Sequence, residues 1–477
     1  MTANLQPVPV KIGLDEENLE ETRVPPTPAD HRTQGAGLKK KAVRGGMWTG
    51  VSFAGGQGLA FVSNILLSYL LVPEVFGLMA LLTTIVAGLQ MFSDVGITPS
   101  LIQNKREDPG FYNTAWTMQV VRGVLLWGAA SLVAWPLSTI KDDWAPLAYL
   151  LPVASLTCVL NGLRSTAWVT ASRRLDIRAV ALLKLFTSIV RILVMVGLAY
   201  FVTRTVWALV VGLIVGSTLT CILSHRMIPE IKNRLHFEKE AFTELIRFGK
   251  WMFLSTLITF FAGQIDKFLL AGLISTGMLG LFWIASRLAD LGPMFFKQLA
   301  QWVGFPALSE LYRRDEARFK SRLLQMRLVL TLPIVTLLLL MILIGPIFTN
   351  LVYAPRYGES GWIVQIIAFG SLAGMVTTPY GQVYMATGRS KYNMLSVLAQ
   401  LICMLTGTLT GYWLAGEAGF LLGIGACQWL RYVADAALVD RCGCWQWKFD
   451  AAMLIGGGLL AWCALWGSQW LAWRYVL

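Results

Sequence analysis

Residues 326–349 read MRLVLTLPIVTLLLLMILIGPIFT, and this stretch decides the class of fold. About twenty consecutive apolar residues carry an α-helix across the hydrocarbon core of a bilayer. Working outward in both directions, runs of the same kind recur at 47–72, 76–101, 113–140, 144–172, 178–202, 205–225, 246–273, 277–310, 362–387, 392–415, 418–439 and 450–473. Thirteen spans are therefore predicted. The composition agrees, because the 477 residues are 56% hydrophobic and only 14% charged, with a mean hydropathy of +0.59. A soluble domain carries about 25% charged residues to decorate its aqueous surface. The sequence thus predicts an all-α polytopic integral membrane protein. It excludes a soluble enzyme, a secreted disulfide scaffold and a disordered regulator.

The net charge of +13 comes from 40 Lys and Arg against 27 Asp and Glu. In a membrane protein such an excess collects in cytoplasmic loops, so it does not point to nucleic acid. With the N-terminus placed inside, the inner loops hold Lys105, Arg106, Arg173, Arg174, Arg178, Arg226, Lys232, Arg234, Lys239, Arg313, Arg314, Arg318, Lys320, Arg322, Arg389, Lys391, Arg441 and Lys448. The outer loops hold Lys141, Arg204 and Arg356, an asymmetry of eighteen to three. That asymmetry sets the orientation and leaves the C-terminus outside. Residues 1–44 begin with an acidic, proline-bearing stretch and end in Lys39, Lys40, Lys41 and Arg44, which reads as a disordered cytoplasmic tail abutting the membrane. Five of the seven Cys lie inside apolar runs as small packing residues. The Cys442-x-Cys444 pair, in a chain with three His, does not make a metal site.

An internal repeat appears at an offset of 203 residues. Arg44, Gly46, Trp48 and Ser52 recur as Arg247, Gly249, Trp251 and Ser255, and Leu66, Leu67, Gly77 and Leu78 as Leu269, Leu270, Gly280 and Leu281. Six spans separate the copies, so both enter the membrane from the same side. That predicts two parallel six-helix bundles about an axis along the membrane normal, the arrangement in which transporters bind substrate between halves. The expected division is a tail at 1–44, an N-terminal bundle at 45–243 with a cytoplasmic loop at 226–243, a C-terminal bundle at 244–440 and one additional helix in 441–477. The Gly46-x-x-x-Gly50, Gly212-x-x-x-Gly216 and Gly407-x-x-x-Gly411 spacings read as close helix contacts.

Ionisable groups inside spans are costly and face a bundle interior or a water-filled cavity. Here they are Arg122, Arg164, Lys184, Arg191, Asp266, Lys267, Arg287, Asp290, Lys297, Arg431 and Asp435. Arg164, Arg431, Asp435 and Lys297 lie near enough to the inner face to snorkel, and Asp266 with Lys267 reads as a local ion pair. At about 100° per residue, Lys184, Thr187, Ser188 and Arg191 share one helix face, as do Arg287, Asp290, Lys297 and Gln301. Cations outnumber acids, which suits an anionic ligand. Arg supplies planar bidentate donors and Lys a compact charge. The candidate substrate-binding residues are Arg122, Lys184, Arg191, Lys267, Arg287 and Lys297, with Asp266 and Asp290 as candidates for ion coupling. No phosphate loop of the G-x-x-x-x-G-K-[ST] kind, no catalytic constellation and no cofactor motif is present, and every outer loop is short.

Several strings carry a resemblance. LVPEVFGLMAL (71–81), FSDVGITPSLIQ (92–103) and NTAWTMQVVRG (113–123) resemble the polysaccharide transporter family of the multidrug/oligosaccharidyl-lipid/polysaccharide exporter superfamily, in the branch of Wzx-type flippases. In the second half, GQIDKFLLAGLI (263–274), GLFWIASRLADL (280–291), FPALSEL (305–311) and MATGRSKYN (385–393) resemble the same family. The resemblance implies that undecaprenyl-diphosphate-linked oligosaccharide repeat units are flipped across a bacterial inner membrane for surface polysaccharide synthesis. It implies alternation between inward- and outward-open V shapes, driven by a proton or sodium gradient. Membrane lipids, and a polysaccharide polymerase and chain-length regulator, are the implied partners; no nucleic acid and no enzyme activity are implied. The alternatives are a drug or cation antiporter of the same superfamily, disfavoured by the lack of an acid in the first span, and a non-catalytic scaffold of a synthase complex.

Overall fold

A computed structural model describes residues 28–92, 97, 101, 106, 108–168, 177–227, 233–246, 263–264, 267–299, 308–310, 312 and 316–475. The chain is helical through these segments, apart from turns and the non-helical stretch 233–238 that leads into a helical segment at 239–246. In order they are α1 (Pro28–Leu70), α2 (Pro73–Phe92), α3 (Pro109–Ser138), α4 (Leu147–Gly162), α5 (Ile177–Phe201), α6 (Val206–Met227), α7 (Thr276–Ala289), α8 (Leu291–Leu299), α9 (Glu316–Val352), α10 (Ser360–Ala386), α11 (Ser390–Arg441) and α12 (Trp447–Tyr475). Nine helices among the described residues are long and apolar enough to cross a membrane. One of these is α11, which breaks at Ala415 and Gly416, so it supplies two of the expected spans. Gly416 has φ 59°, a left-handed conformation that glycine adopts without a Cβ penalty. The break falls where the apolar runs 392–415 and 418–439 meet. Gly407 and Gly411 then let the two arms close on the backbones of Gly423 and Gly419.

Four expectations need correction. α1 starts at Pro28, inside the stretch expected to be a disordered tail: proline suits a first helical turn, and Leu38, three lysines and Ala42 favour helix. α4 stops at Gly162 instead of running to 172. Arg164 therefore lies in a turn, where Ser165 N–H donates to Ser224 Oγ and its hydroxyl to Asn233. The run 277–310 is not one helix, because Asp290 ends α7 and α8 restarts at Leu291. Asp290 itself keeps helical φ and ψ and both of its helical hydrogen bonds, to Ser286 and from Met294, and Gln301 lies outside the described residues. Arg431 and Asp435 do not snorkel separately; they form an ion pair of 3.1 Å, with Arg431 also donating to Gln400 and Ser396.

In the first half α3 packs on α4, α4 on α6 and α2, and α5 on α1 and α6. In the second, α10 packs on α9, α11 and α12, and α9 on α12. The seam between them is the crossing of α2 with α7. A Cβ on Gly77 would stand 1.9 Å from the Thr276 carbonyl oxygen, and one on Gly280 would stand 1.9 Å from that of Pro73. Gly77 and Gly280 are repeat mates, and so are Pro73 and Thr276. The contact is reciprocal, as a two-fold axis through it requires.

Hydrogen bonds around this crossing tie the halves together at the charge-poor face, away from the basic loops. Lys141 Nζ donates to the Ala271 and Ile274 carbonyls, each at 3.1 Å. Arg356 donates to the carbonyls of Ser68 at 2.9 Å and Tyr69 at 2.8 Å, and Tyr357 OH to that of Leu71 at 2.7 Å. Thr276 adds a bond to Asp143. One large apolar core, including Leu71, Phe76, Leu147, Ile274, Phe282 and Tyr357, fills the same end.

At the basic face the loop before residue 246 is docked on α3. Asn113, Thr114 and Thr117, from the NTAWT string, bond the backbone of Arg234, Glu238 and His236. Asp108 caps α3 through Phe111 N–H and also pairs with Arg106, which reaches Glu238 at 2.8 Å.

Candidate central cavity and its cations

Beneath the closed end lies a cavity of about 800 Å³. The face of α1 that lines it runs through Thr49, Ser52, Gln57, Ser63 and Asn64, a helical periodicity of neutral polar groups. Reasoning about charges alone passed over these residues, although their spacing was readable. α5 contributes Lys184, Thr187, Ser188 and Arg191, the stripe expected from the sequence, and α7 contributes Trp283 and Arg287. Every ionisable side chain among the described lining residues is a cation: Arg164, Lys184, Arg191 and Arg287.

Local packing aims these groups. α5 and α6 meet at Gly212 and Gly216, and a Cβ on Gly216 would lie 3.0 Å from Arg191 Cβ, so the close approach seats the Arg191 stem. Arg287 lies over the Trp283 ring at 5.1 Å, Lys184 over Trp168 at 5.6 Å and Arg164 over the same Trp168 at 4.9 Å. Aromatic faces hold cations without neutralising them. Arg191 and Arg287, from opposite halves, line the same cavity. Such a lining suits an anion better than a cation.

The other expected site residues are placed differently. Arg122 lines a second cavity between α2, α3 and α4 and donates to the Gln90 carbonyl. Asp290 sits at the α7–α8 break within electrostatic reach of both Arg287 and Lys297. Lys297 is exposed on α8 and feels Arg431 as well; its neighbour Gln298, not Lys297, lines the central cavity. Lys267 is half-buried near the end of the helical segment 267–273, and Asp266 lies outside the described residues.

Sequence reasoning also missed a buried polar knot in the second half. Arg327 Nη2 donates to Asp450 Oδ1 at 2.6 Å, with both side chains fully buried. Tyr380 and Tyr432 hydroxyls and the Trp445 indole donate to the other carboxylate oxygen, while Arg327 also donates to Gln446 and the Val376 carbonyl. The knot ties α12 to α9 and α10. Among the described residues no group of three or more His, Cys, Asp or Glu is placed to hold a metal, and Cys444 packs in an apolar cluster.

Comparison with known proteins places this geometry. A family model described as "Polysaccharide biosynthesis protein" matches residues 66–361. The chain is 22% identical over 389 residues, 81% of it and 78% of the relative, to the lipopolysaccharide biosynthesis protein WzxC of Escherichia coli K12. It is 24% identical over 286 residues, 60% of it and 57% of the relative, to the succinoglycan biosynthesis transport protein ExoT of Rhizobium meliloti. Among solved structures, the lipid II flippase MurJ in an inward closed conformation superposes with a TM-score of 0.69 at 12% identity, covering 87% of this chain and 92% of MurJ. An inward-facing multidrug resistance MATE family transporter of the MOP superfamily gives 0.58 at 14% identity, covering 82% and 94%. The fold is therefore that of MurJ and MATE proteins, and the chain belongs to the family described as "Polysaccharide biosynthesis protein".

Proposed function

We propose that the chain flips undecaprenyl-diphosphate-linked oligosaccharide repeat units from the cytoplasmic to the periplasmic leaflet of a bacterial inner membrane, for surface polysaccharide synthesis. The observation that carries this reading is the central cavity, whose described ionisable lining is wholly cationic. An arginine at membrane depth without an offsetting charge costs a few kcal/mol. Arginines of opposite halves facing one cavity favour an anion between them, and a diphosphate offers two charges. Guanidinium forks match phosphate oxygens bidentately. A drug or cation antiporter needs the opposite lining, which disfavours that reading despite the shared fold.

In this reading residues 45–243 and 244–440 are the two six-helix bundles, and the segment 441–477 is one additional helix. The charge-poor face is periplasmic and the loop 226–243 cytoplasmic. The structure then corresponds to a state closed to the periplasm, with the halves joined at the α2–α7 crossing. Headgroup entry places the diphosphate between Arg191 and Arg287 and offsets their like charges. Bringing the halves together on the cytoplasmic side levers open the periplasmic contacts made by Lys141 and Arg356. Asp290, between Arg287 and Lys297, is the group through which a coupling ion acts.

The test is transport by purified protein in liposomes containing fluorescent undecaprenyl-diphosphate-linked oligosaccharide, read by its accessibility to an external quencher. Time-dependent transbilayer movement of the lipid-linked sugar by this protein alone is expected. Efflux of a cationic dye without movement of the lipid supports the antiporter instead, and neither activity supports a scaffold.

A further inference from the structure

Towards the closed end of the central cavity, α1 presents Ser63 and Asn64. Both are more than nine-tenths buried, with relative exposures of 5% and 8%, and both line the cavity. Among the described residues, neither the Ser63 hydroxyl nor the Asn64 carboxamide has a hydrogen-bond partner in the protein. Buried polar groups are almost always bonded, and an unmet one is costly, most of all at membrane depth. An apolar side chain fills the same place on α1 without that cost. What remains for these two groups to bond is whatever occupies the cavity.

Their depth differs from that of the cations. Gly55 of α1 meets α5, where its Cβ position stands 3.0 Å from Leu185 Cδ2. Both helices run towards the closed end, so at about 1.5 Å per residue Asn64 stands roughly one turn nearer to it than Arg191. The lining at that level includes Leu67, Phe76, Met79 and Met195, which are apolar. At the 203-residue offset, Ser63 and Asn64 correspond to Asp266 and Lys267. The first half thus keeps polarity where the second is ionisable, but gives up charge. Apolar walls carrying a few placed polar groups hold small organic ligands. A carboxamide sets an acceptor beside two donors, and the neighbouring hydroxyls of a pyranose offer the complementary set.

We propose that Ser63 and Asn64 form a subsite for a neutral sugar of the lipid-linked repeat unit. Asn64 takes two adjacent hydroxyls of the pyranose, one donating to Oδ1 and the other accepting from Nδ2, and Ser63 adds a bond to the same ring. The C–H face of the sugar lies on the apolar wall. The inference rests on the reading that a lipid-linked oligosaccharide enters the central cavity, and it deepens that reading. The glycan lies towards the closed end, ahead of the diphosphate held between Arg191 and Arg287, and is recognised by groups separate from those that hold the carrier's phosphates.

The experiment measures binding to the purified full-length protein of three probes: bare undecaprenyl diphosphate, the carrier bearing one glucose, and the carrier bearing the same glucose with its hydroxyls methylated. The wild type is expected to bind the free glucose probe about tenfold more tightly than the methylated one, the worth of two neutral hydrogen bonds. Asn64→Leu, close in shape, abolishes that preference and leaves the bare carrier's affinity within about twofold. Its melting temperature is no lower than the wild type's, because no hydrogen bond within the protein is lost. Ser63→Ala reduces the preference about threefold. Equal affinity of the wild type for the two glucose probes, or a preference unmoved by either substitution, overturns the subsite. So does a sharp fall in melting temperature, or failure to fold, in Asn64→Leu, since the carboxamide is then a packing group. Failure of the wild type to bind even the bare carrier overturns the flippase reading itself.

Discussion

Lys141 and Arg356 hold corresponding places in the two halves: each lies at a short 3-10 turn, Asp142–Trp144 or Pro355–Tyr357, and each caps a helix end belonging to the other half. The capped carbonyls correspond as well. Ala271 and Ile274 are the repeat mates of Ser68 and Leu71, and Leu71 is bonded by Tyr357 beside Arg356. A helix C-terminus carries about half a negative charge, so a cation there is stabilising by up to about 2 kcal/mol. Two of the three cations that the charge-poor loops retain are therefore latches across the seam.

Removing either latch is expected to favour opening at this face. Lys141→Ala or Arg356→Ala shifts the balance by about 1–2 kcal/mol, roughly a five- to thirtyfold change in population. The measurement is the labelling rate of Ser63→Cys, a cavity position, in a background lacking other cysteines, by an impermeant thiol reagent applied to intact cells. Faster labelling in both variants, and faster still in the double variant, is expected. Unchanged rates mean that the two cations only pack the loops.

The reciprocal crossing at Gly77 and Gly280 leads to a stability prediction. Alanine at either position drives a methyl into a backbone carbonyl, and overpacking of this kind costs about 1–3 kcal/mol. Gly56→Ala, on a helix face where a Cβ meets nothing within 4 Å, is the control. Thermal aggregation followed by size-exclusion chromatography in detergent should show Gly77→Ala and Gly280→Ala less stable by similar amounts and Gly56→Ala unchanged. Unequal losses would break the two-fold correspondence.

The Arg327–Asp450 pair tests whether α12 is integral to the second half. Breaking a buried pair strands a charge and costs about 3–5 kcal/mol, whereas replacing both members by apolar residues is far milder. Arg327→Met and Asp450→Leu alone are expected to lower the melting temperature sharply, and the double variant to recover most of it. If the single variants match the wild type, the knot is not what holds α12.

The ion cluster at the basic face sets a pH window. The Arg106 guanidinium and the Phe111 N–H hold the Asp108 carboxyl down at about 2, from an ordinary 3.8. A depressed acid stabilises the fold fully above its unfolded value and loses that contribution as pH falls through its folded one. Docking of the segment 233–246 on α3 should thus be constant from pH 8 to 5 and weaken only between about 4 and 2. Hydrogen exchange in that loop reads it. Asp108→Asn keeps a helix cap but not the ion pair, so its loop should exchange faster at neutral pH as well.

How much of this was legible depends on the range over which each feature is determined. Hydropathy marks the apolar runs, and the 203-residue offset pairs Gly77 with Gly280, because both signals are local or repeated. The ends of α4 and α7 were not readable: apolar residues continue past Gly162 and Asp290, and the turns there are set by contacts such as Ser165 with Ser224 and Asn233. Arg327 and Asp450 stand 123 positions apart at the edges of their spans, where charged residues ordinarily reach water. Their pairing follows from the way α12 packs on α9. Lys184 and Arg191 were legible since one helix face carries both. Arg122 was assigned to the same site as Arg191, yet α3 turns it into a separate chamber.

Arg191 and Arg287 give the prediction closest to transport. They come from opposite halves and line one cavity, so their like charges facing the same space cost energy that an anion recovers. Neither is held by an interaction whose loss unfolds the bundle: glutamine keeps the Arg191 stem against Gly216, and at Arg287 it gives up a cation–π contact with Trp283 of about 0.5–1 kcal/mol. Arg191→Gln and Arg287→Gln are therefore expected to express and melt like the wild type. Loss of one charge-assisted, bidentate phosphate contact, about 1.5–3 kcal/mol, should cut flipping by roughly ten- to a hundredfold. Lysine at either position keeps the charge but not the fork, and should retain a part of the rate. The double variant separates the two roles. If the arginines only hold the bundle apart, removing both leaves transport intact. If they bind the diphosphate, the double variant melts no lower than the single ones and is the slowest to transport. Melting temperature and flipping rate measured on the same preparations decide between these outcomes.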